Sequence, residues 1–175
     1  MTASLPEPAP STDAKALFLE YLDFYRDTVV RKVAGLDETT WRGAAVPSGW
    51  SPAELVKHLA YMERRWLRWG FLGEQVDDPW GDHEPGVDPE TARWEVRPGE
   101  SLDDLVAMLC DGGQRTRAIV EAARLEDSAA TGGRFPADQE PPTLLAILFH
   151  VLQEYARHAG HLDVARELVD GETGE

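Results

Sequence analysis

The stretch SPAELVKHLAYMERRW, residues 51–66, has the clearest helix start in the chain and indicates the fold class. Ser51 stands at the N-cap position, Pro52 at the first helical position, and Glu54 three residues after the cap, which is a capping box with the favoured proline. The residues that follow on one helical face are apolar: Leu55, Leu59, Met62, Trp66 and Trp69. The pattern predicts an amphipathic helix from Ser51 to about residue 69.

Three further segments have helical spacing of apolar residues and recognisable ends. They cover residues 13–35, 101–123 and 143–170, and Gly171 is a natural stop for the last one. No segment has a convincing strand pattern. Four helices of about 20 residues joined by two long connections predict an all-α, single-domain four-helix bundle.

The segments outside these helices differ in composition. Residues 1–12 are polar and proline-rich and are expected to form a disordered arm, residues 13–171 to form the bundle, and residues 172–175 to form a short tail. Residues 70–100 have no sustained period. A connection of this length in a compact domain is usually functional or disordered, and residues 89–94 fit a short helix within it.

Charge and composition exclude several classes of function. The chain has 17 basic and 32 acidic residues and a formal net charge of −15, which argues against nucleic acid and anionic membrane surfaces as partners. Neither a membrane-spanning run nor a signal peptide is visible, so we expect a cytoplasmic protein. Cys110 is the only cysteine, and its apolar neighbours predict a buried structural thiol.

The last predicted helix carries four potential metal ligands on one side. With His150 at 0° on a helical wheel, Glu154, His158 and His161 fall at about 40°, 80° and 20°. Their stripe borders the apolar side, which holds Ile147, Val151, Tyr155, Leu162 and Val169. Imidazole and carboxylate groups together suit zinc and other late transition metals, and His58 on the second helix is a candidate partner.

Other interpretations of this stripe remain open. Glu154 can pair with neighbouring side chains at the helix surface, and His58 can be an ordinary packing residue. Arg64, Arg65 and Arg68, which follow His58, are expected to form a solvated face. The chain could therefore be a helical bundle that binds no metal.

Two segments together resemble the DinB-like superfamily. They are GWSPAELVKHL, residues 49–59, and EYARHAGHLDVARELVDG, residues 154–171, and the resemblance extends over about residues 13–171. It implies a four-helix bundle with a divalent metal held by one side chain of the second helix and two of the last. Carried over position by position, the implied ligands are His58, Glu154 and His158.

This sequence departs from the three-histidine pattern of many members of the superfamily. Glu154 replaces one histidine, as in the mycothiol-dependent maleylpyruvate isomerase branch, whose carboxylate version binds zinc. His161 replaces the usual glutamine after Gly160, so we expect it beside the metal site or as an alternative ligand. His150 lies one turn further along and is the other alternative ligand.

The resemblance implies an enzyme of the thiol-transferase or isomerase kind. A low-molecular-weight thiol, mycothiol or similar, would be activated at an open metal position and would attack an electrophilic small molecule. Zinc is the expected metal, with nickel, iron or manganese as alternatives.

The catalytic residues are unknown. Trp66, Trp80 and Trp94 are candidates for the pocket lining, and a homodimer is a further possibility. The alternative is a non-catalytic metal-binding or stress-related interaction protein with the same bundle.

Overall fold

The computed structural model describes residues 5–75 and 95–173 of the chain. Within these two ranges the chain forms helices and no β-strand, which confirms the all-α fold. The helices are α1 (Ala14–Val33), α2 (Glu38–Arg42), α3 (Pro52–Arg64), α4 (Leu102–Ala122) and α5 (Leu144–Asp170). A π-helical segment, Arg65–Phe71, continues α3. None of the described helices has the length and apolar character needed to cross a membrane.

The ends of the four long helices follow from local sequence. The Asp13 carboxylate accepts hydrogen bonds from two backbone N–H groups of the first turn of α1. Ser51 and Glu54 form the complete capping box at the start of α3, and Ser101 and Thr143 cap α4 and α5 through their hydroxyl groups. α5 ends at Gly171 in the left-handed conformation, with φ of 75°. These helix starts agree with the predicted ones.

Two local features differ from the prediction. The connection after α1 contains the short helix α2, which is capped by Asp37 and held to the core by the buried side chain of Trp41. The second predicted helix changes its hydrogen bonding at Arg65, where α3 gives way to the wider π-helical turns. The proposed short helix at residues 89–94 lies outside the described residues.

The four long helices enclose one apolar core. α1 and α3 each pack against both α4 and α5, so α3 and α5 are in direct contact. Large core side chains with under 2% exposure include Leu22, Leu59, Met62, Leu109, Ile147, Tyr155 and Leu162. The α3–α5 interface is the place where His58 and the ligand stripe of the last helix meet.

Two side chains are more exposed than predicted. Cys110 is half-buried, because it lies about 100° around α4 from the buried Leu109. Val169 is exposed, because it lies in the last turn of α5, where residues 167–171 are all exposed. Neither residue belongs to the core.

Candidate metal centre

Three potential metal ligands meet between α3 and α5. His58 lies in the middle of α3 and is buried, whereas Glu154 and His158 are one turn apart on the facing side of α5. One ligand atom from each residue lies within 4.8 Å of the others. The structure thus brings together the three residues that the resemblance implied, although His58 is 96 positions from Glu154 in sequence.

The distances fit the requirements of a small divalent cation. Oε2 of Glu154 lies 3.1 Å from Nε2 of His58 and 3.3 Å from Nε2 of His158. In a tetrahedral zinc site with bonds of about 2.0–2.1 Å, neighbouring ligand atoms are separated by about 3.3 Å. Two imidazole nitrogens and one carboxylate oxygen are also a ligand set that zinc accepts. The residues present therefore fit a divalent metal.

The electrostatics of Glu154 and His58 favour the forms that bind metals. Hydrogen bonds from His158 and His58 hold the pKa of Glu154 well below its usual range, so Glu154 is a carboxylate at neutral pH. Burial lowers the pKa of His58, and electrostatic interactions with His158 and Arg65 act in the same direction, although the hydrogen bond and the charge of Glu154 oppose them. A neutral imidazole can bind a metal directly, whereas a protonated imidazolium must first lose a proton.

Two ion pairs that involve buried side chains of α3 fix this helix on either side of His58. The ammonium group of Lys57, 1% exposed, donates to Glu100 at 2.6 Å. Six residues further along α3, Glu63 accepts a hydrogen bond of 2.8 Å from Arg26 of α1. Because each pair joins α3 to a different part of the chain, the rotation of α3 is fixed, and His58 with it.

Trp50 contributes an aromatic wall that the sequence analysis did not assign. Its ring stacks on the His158 ring, with centroids 5.6 Å apart and planes 24° apart, and lies edge-on to His58 at 6.0 Å. The residue precedes the N-cap Ser51 directly, which is the position of a hydrophobic staple. This position was the only sequence signal for Trp50. It indicates that the side chain packs against the protein, but it does not indicate which residue it contacts.

The two alternative ligands lie beside the three-residue cluster. His161 is exposed, and its ring contacts the His158 ring edge-on at 5.4 Å. His150 is half-buried and packs on Trp66, with ring centroids 4.1 Å apart. Trp66 therefore lies about one turn along α5 from Glu154, and its role in lining a pocket stays a prediction. Trp80 and Trp94 lie outside the described residues.

The expectation of a solvated arginine face is wrong for Arg65. Its side chain is buried, at 7% exposure, whereas Arg64 and Arg68 are half-buried. Arg65 follows His58 by seven residues, which is two helical turns, so both side chains leave the helix on the same side. Arg64, Arg65 and Arg68 were grouped because they are close in sequence, but the helical period places them at different positions around the helix.

The fold and the cluster define the class of protein: a DinB-like helical bundle with three potential metal ligands between two of its helices. The chain belongs to the mycothiol-S-transferase family, whose model matches residues 17–171. The matched range includes all three residues of the cluster and every long helix except the first turn of α1.

Comparison with solved structures supports the fold. A conserved protein from Enterococcus faecalis, known from its crystal structure, is similar with a TM-score of 0.63 and 19% sequence identity. The similarity covers 93% of this chain and 100% of the other. The search among curated proteins gave no significant match.

Proposed function

We propose that this protein is a divalent-metal-dependent transferase that uses a low-molecular-weight thiol such as mycothiol. The thiol loses its proton and forms a sulfur–carbon bond to an electrophilic small molecule, whose bond to a leaving group such as chloride breaks, and the leaving group departs with the electron pair of that bond. The observation that carries the proposal is the convergence of His58, Glu154 and His158 within 4.8 Å in a member of this family. We place the reaction in the cytoplasm, where thiols are kept reduced.

In this proposal the three side chains hold the metal, and zinc is the first choice. Nickel, iron and manganese also accept nitrogen and oxygen ligands, so availability would decide among them. The cluster contains three side-chain ligands among the described residues, which is the number typical of catalytic zinc sites. The bound metal would lower the pKa of a coordinated thiol and favour the nucleophilic thiolate.

The protein residues orient and enclose this chemistry. Glu154 brings one negative charge, while His58 binds in its neutral form because burial lowers its pKa. Trp50 covers the His158 ring and limits the access of water from that side. His161 contacts His158 from the exposed side, so we assign it a role in holding the His158 ring.

The test is thiol-dependent consumption of an electrophile by the zinc-loaded protein. Mycothiol would be offered with a panel of electrophiles that begins with 1-chloro-2,4-dinitrobenzene, and thiol consumption would be followed by mass spectrometry. N-acetylcysteine, which lacks the sugar part, serves as the matched thiol control. Wild-type protein should consume mycothiol in preference, and chelation or Glu154→Gln should reduce the rate about a hundredfold or more.

Two results would contradict the proposal. Rates that are unchanged by chelation and by Glu154→Gln would remove the metal cluster from the reaction. Protein that carries the metal but consumes no electrophile with any thiol would instead indicate a non-catalytic metal-binding protein.

A further inference from the structure

A cavity of about 420 Å³ lies at the end of the bundle where α1 ends and α4 begins. It is lined by the last turn of α1, the turn that follows, the short helix α2 and the first turns of α4. The cavity shares no residue with the cluster of His58, Glu154 and His158, which lies between α3 and α5. Its volume is within the range of about 300–1,000 Å³ that is typical of small-molecule sites.

The lining of the cavity is mainly apolar. Val33 and Trp41 belong to the buried core, with 1% and 7% exposure. Four half-buried side chains from three segments complete the apolar lining: Val30, Leu36, Leu102 and Val106. These four pack against the core, so the cavity is part of the folded bundle. A ligand with an apolar body would remove their remaining apolar surface from water.

The ionisable side chains among the described lining residues are both acidic. Glu38 lies at the start of α2 and Asp103 in the first turn of α4, and both are exposed. The lining also includes Ser101, whose hydroxyl group is engaged with Asp104 through the cap of α4. The charge at the mouth of this apolar cavity is therefore negative, and it favours a ligand that carries a positive charge.

One of the two carboxylates is already paired with a cation. Arg42 donates from Nε to Glu38 at 3.0 Å, and its other two nitrogens donate to the carbonyl oxygens of Val96 and Glu100. Asp103 has no hydrogen-bond or ion-pair partner in the part of the chain that the structure describes. Asp103 is thus the carboxylate that is open to a cationic ligand.

The position of Asp103 also disfavours an anionic ligand. The N-terminal end of a helix dipole attracts negative charge, and at α4 the Asp103 carboxylate already supplies that charge. The formal net charge of the chain is −15, so its overall field attracts small cations and repels anions. An apolar cavity beside an unpaired carboxylate suits an ammonium group attached to an apolar body.

We propose that this cavity binds a small organic amine in its protonated form, whose ammonium group pairs with Asp103. Its apolar part, an aromatic ring or a branched aliphatic chain, packs against Leu36, Trp41 and Val106. The inference is independent of the proposed function, because the cavity contains none of the three potential metal ligands and the binding needs neither metal nor thiol.

The test is a titration of the full-length protein with three probes that share a phenyl ring and differ in charge. They are 2-phenylethylamine, 2-phenylethanol and 3-phenylpropanoate. Two-dimensional NMR would follow the indole N–H signals, and Trp41→Phe identifies the signal of Trp41. Binding in the cavity should shift that signal equally with and without zinc, whereas an amine at the candidate metal centre would shift Trp50, which stacks on His158.

We expect the amine to bind most tightly and the carboxylate most weakly. Asp103→Asn should weaken the amine about three- to fivefold and leave the affinity for the alcohol unchanged, because only the amine forms the ion pair. Asp111→Asn is the matched control, since Asp111 is exposed on the same helix and does not line the cavity. Val106→Phe, which fills part of the cavity, should weaken the amine and the alcohol alike.

Several results would overturn the proposal. Equal affinities for the three probes would remove the role of charge, and an unchanged affinity for the amine in Asp103→Asn would remove its proposed partner. Tightest binding of the carboxylate would make the cavity an anion site at the start of α4. A Trp41 signal that moves with protein concentration and with none of the probes would assign the cavity to a contact between two copies of the chain.

Discussion

The hydroxyl group of Tyr155 donates a hydrogen bond of 2.6 Å to Glu63, across the interface that holds the candidate metal centre. Tyr155 is fully buried, and Glu63 also accepts from Arg26 at 2.8 Å. Burial raises the pKa of Tyr155 well above its usual value, so the donor proton is retained. Since Tyr155 follows Glu154 directly, this bond fixes the rotation of α5 beside the carboxylate.

We expect Tyr155→Phe to lower the free energy of unfolding by about 1–3 kcal/mol, because the buried Glu63 loses a hydrogen-bond donor. Urea denaturation measures the change. Tyr21→Phe, at a half-buried ring of α1, is the control and should change the free energy by less than about 0.5 kcal/mol. Equal effects of the two substitutions would show that the Tyr155 hydroxyl has no special part in stability.

The adjacent glycines of α4 should respond in opposite directions to alanine. A Cβ at Gly113 would lie 2.2 Å from the guanidinium carbon of Arg26, which is held by Glu63, whereas a Cβ at Gly112 meets nothing within 4 Å. Gly113→Ala should therefore destabilise by about 1–3 kcal/mol. Gly112→Ala should stabilise by up to about 1 kcal/mol through helix propensity. Thermal and urea unfolding check the pair, and two changes of the same sign would contradict the packing of Arg26 on α4.

Substitution of Trp50 should separate stacking from simple space filling. Trp50→Phe keeps an aromatic ring on His158, and Trp50→Leu removes it. We expect zinc affinity, measured by competition with a chromophoric chelator, to fall severalfold in Trp50→Leu and to change little in Trp50→Phe. Identical affinities in both variants and wild type would mean that the stack does not position His158.

Acid should destabilise the metal-free protein through His58. Burial lowers the folded-state pKa of His58 below its ordinary value of 6.5, so the unfolded chain binds more protons in this range. The resulting stability is present above pH 6.5 and is lost as the pH falls through the folded-state pKa. In the presence of chelator, between pH 6.5 and 4.5, His58→Gln should show a slope of unfolding free energy that is smaller by up to about 1.4 kcal/mol per pH unit. Parallel curves for wild type and variant would indicate an ordinary pKa for His58.

The sequence predicted the features that local interactions decide. The capping box of Ser51 and Glu54 and the stop at Gly171 depend on a few neighbouring residues, and the structure has them at those positions. The stripe of ligands on α5 follows from the helical period alone. His58 was a candidate partner from its place on the second helix, but only the family resemblance combined it with Glu154 and His158 into one ligand set, because its partners lie on a different helix.

The remaining features depend on contacts between distant segments. The stack of Trp50 on His158 joins residues 108 positions apart, and no local pattern specifies it. The burial of Trp41 creates α2 from a segment with weak helical character. Arg65 is the exception: its spacing of seven from His58 already indicated the inward side, but its grouping with Arg64 and Arg68 concealed this.

The metal content of the purified protein shows whether His58 and His158 hold one ion together. Wild-type protein and the His58→Ala and His158→Ala variants would be purified without a polyhistidine tag, incubated with zinc, and analysed by plasma mass spectrometry. His150→Ala serves as the matched control, because His150 packs on Trp66 outside the cluster. We expect about one metal ion per chain in wild type and in His150→Ala, and loss of the ion in His58→Ala and His158→Ala. Wild-type protein without metal after incubation with zinc, or full metal content in His58→Ala, would contradict it.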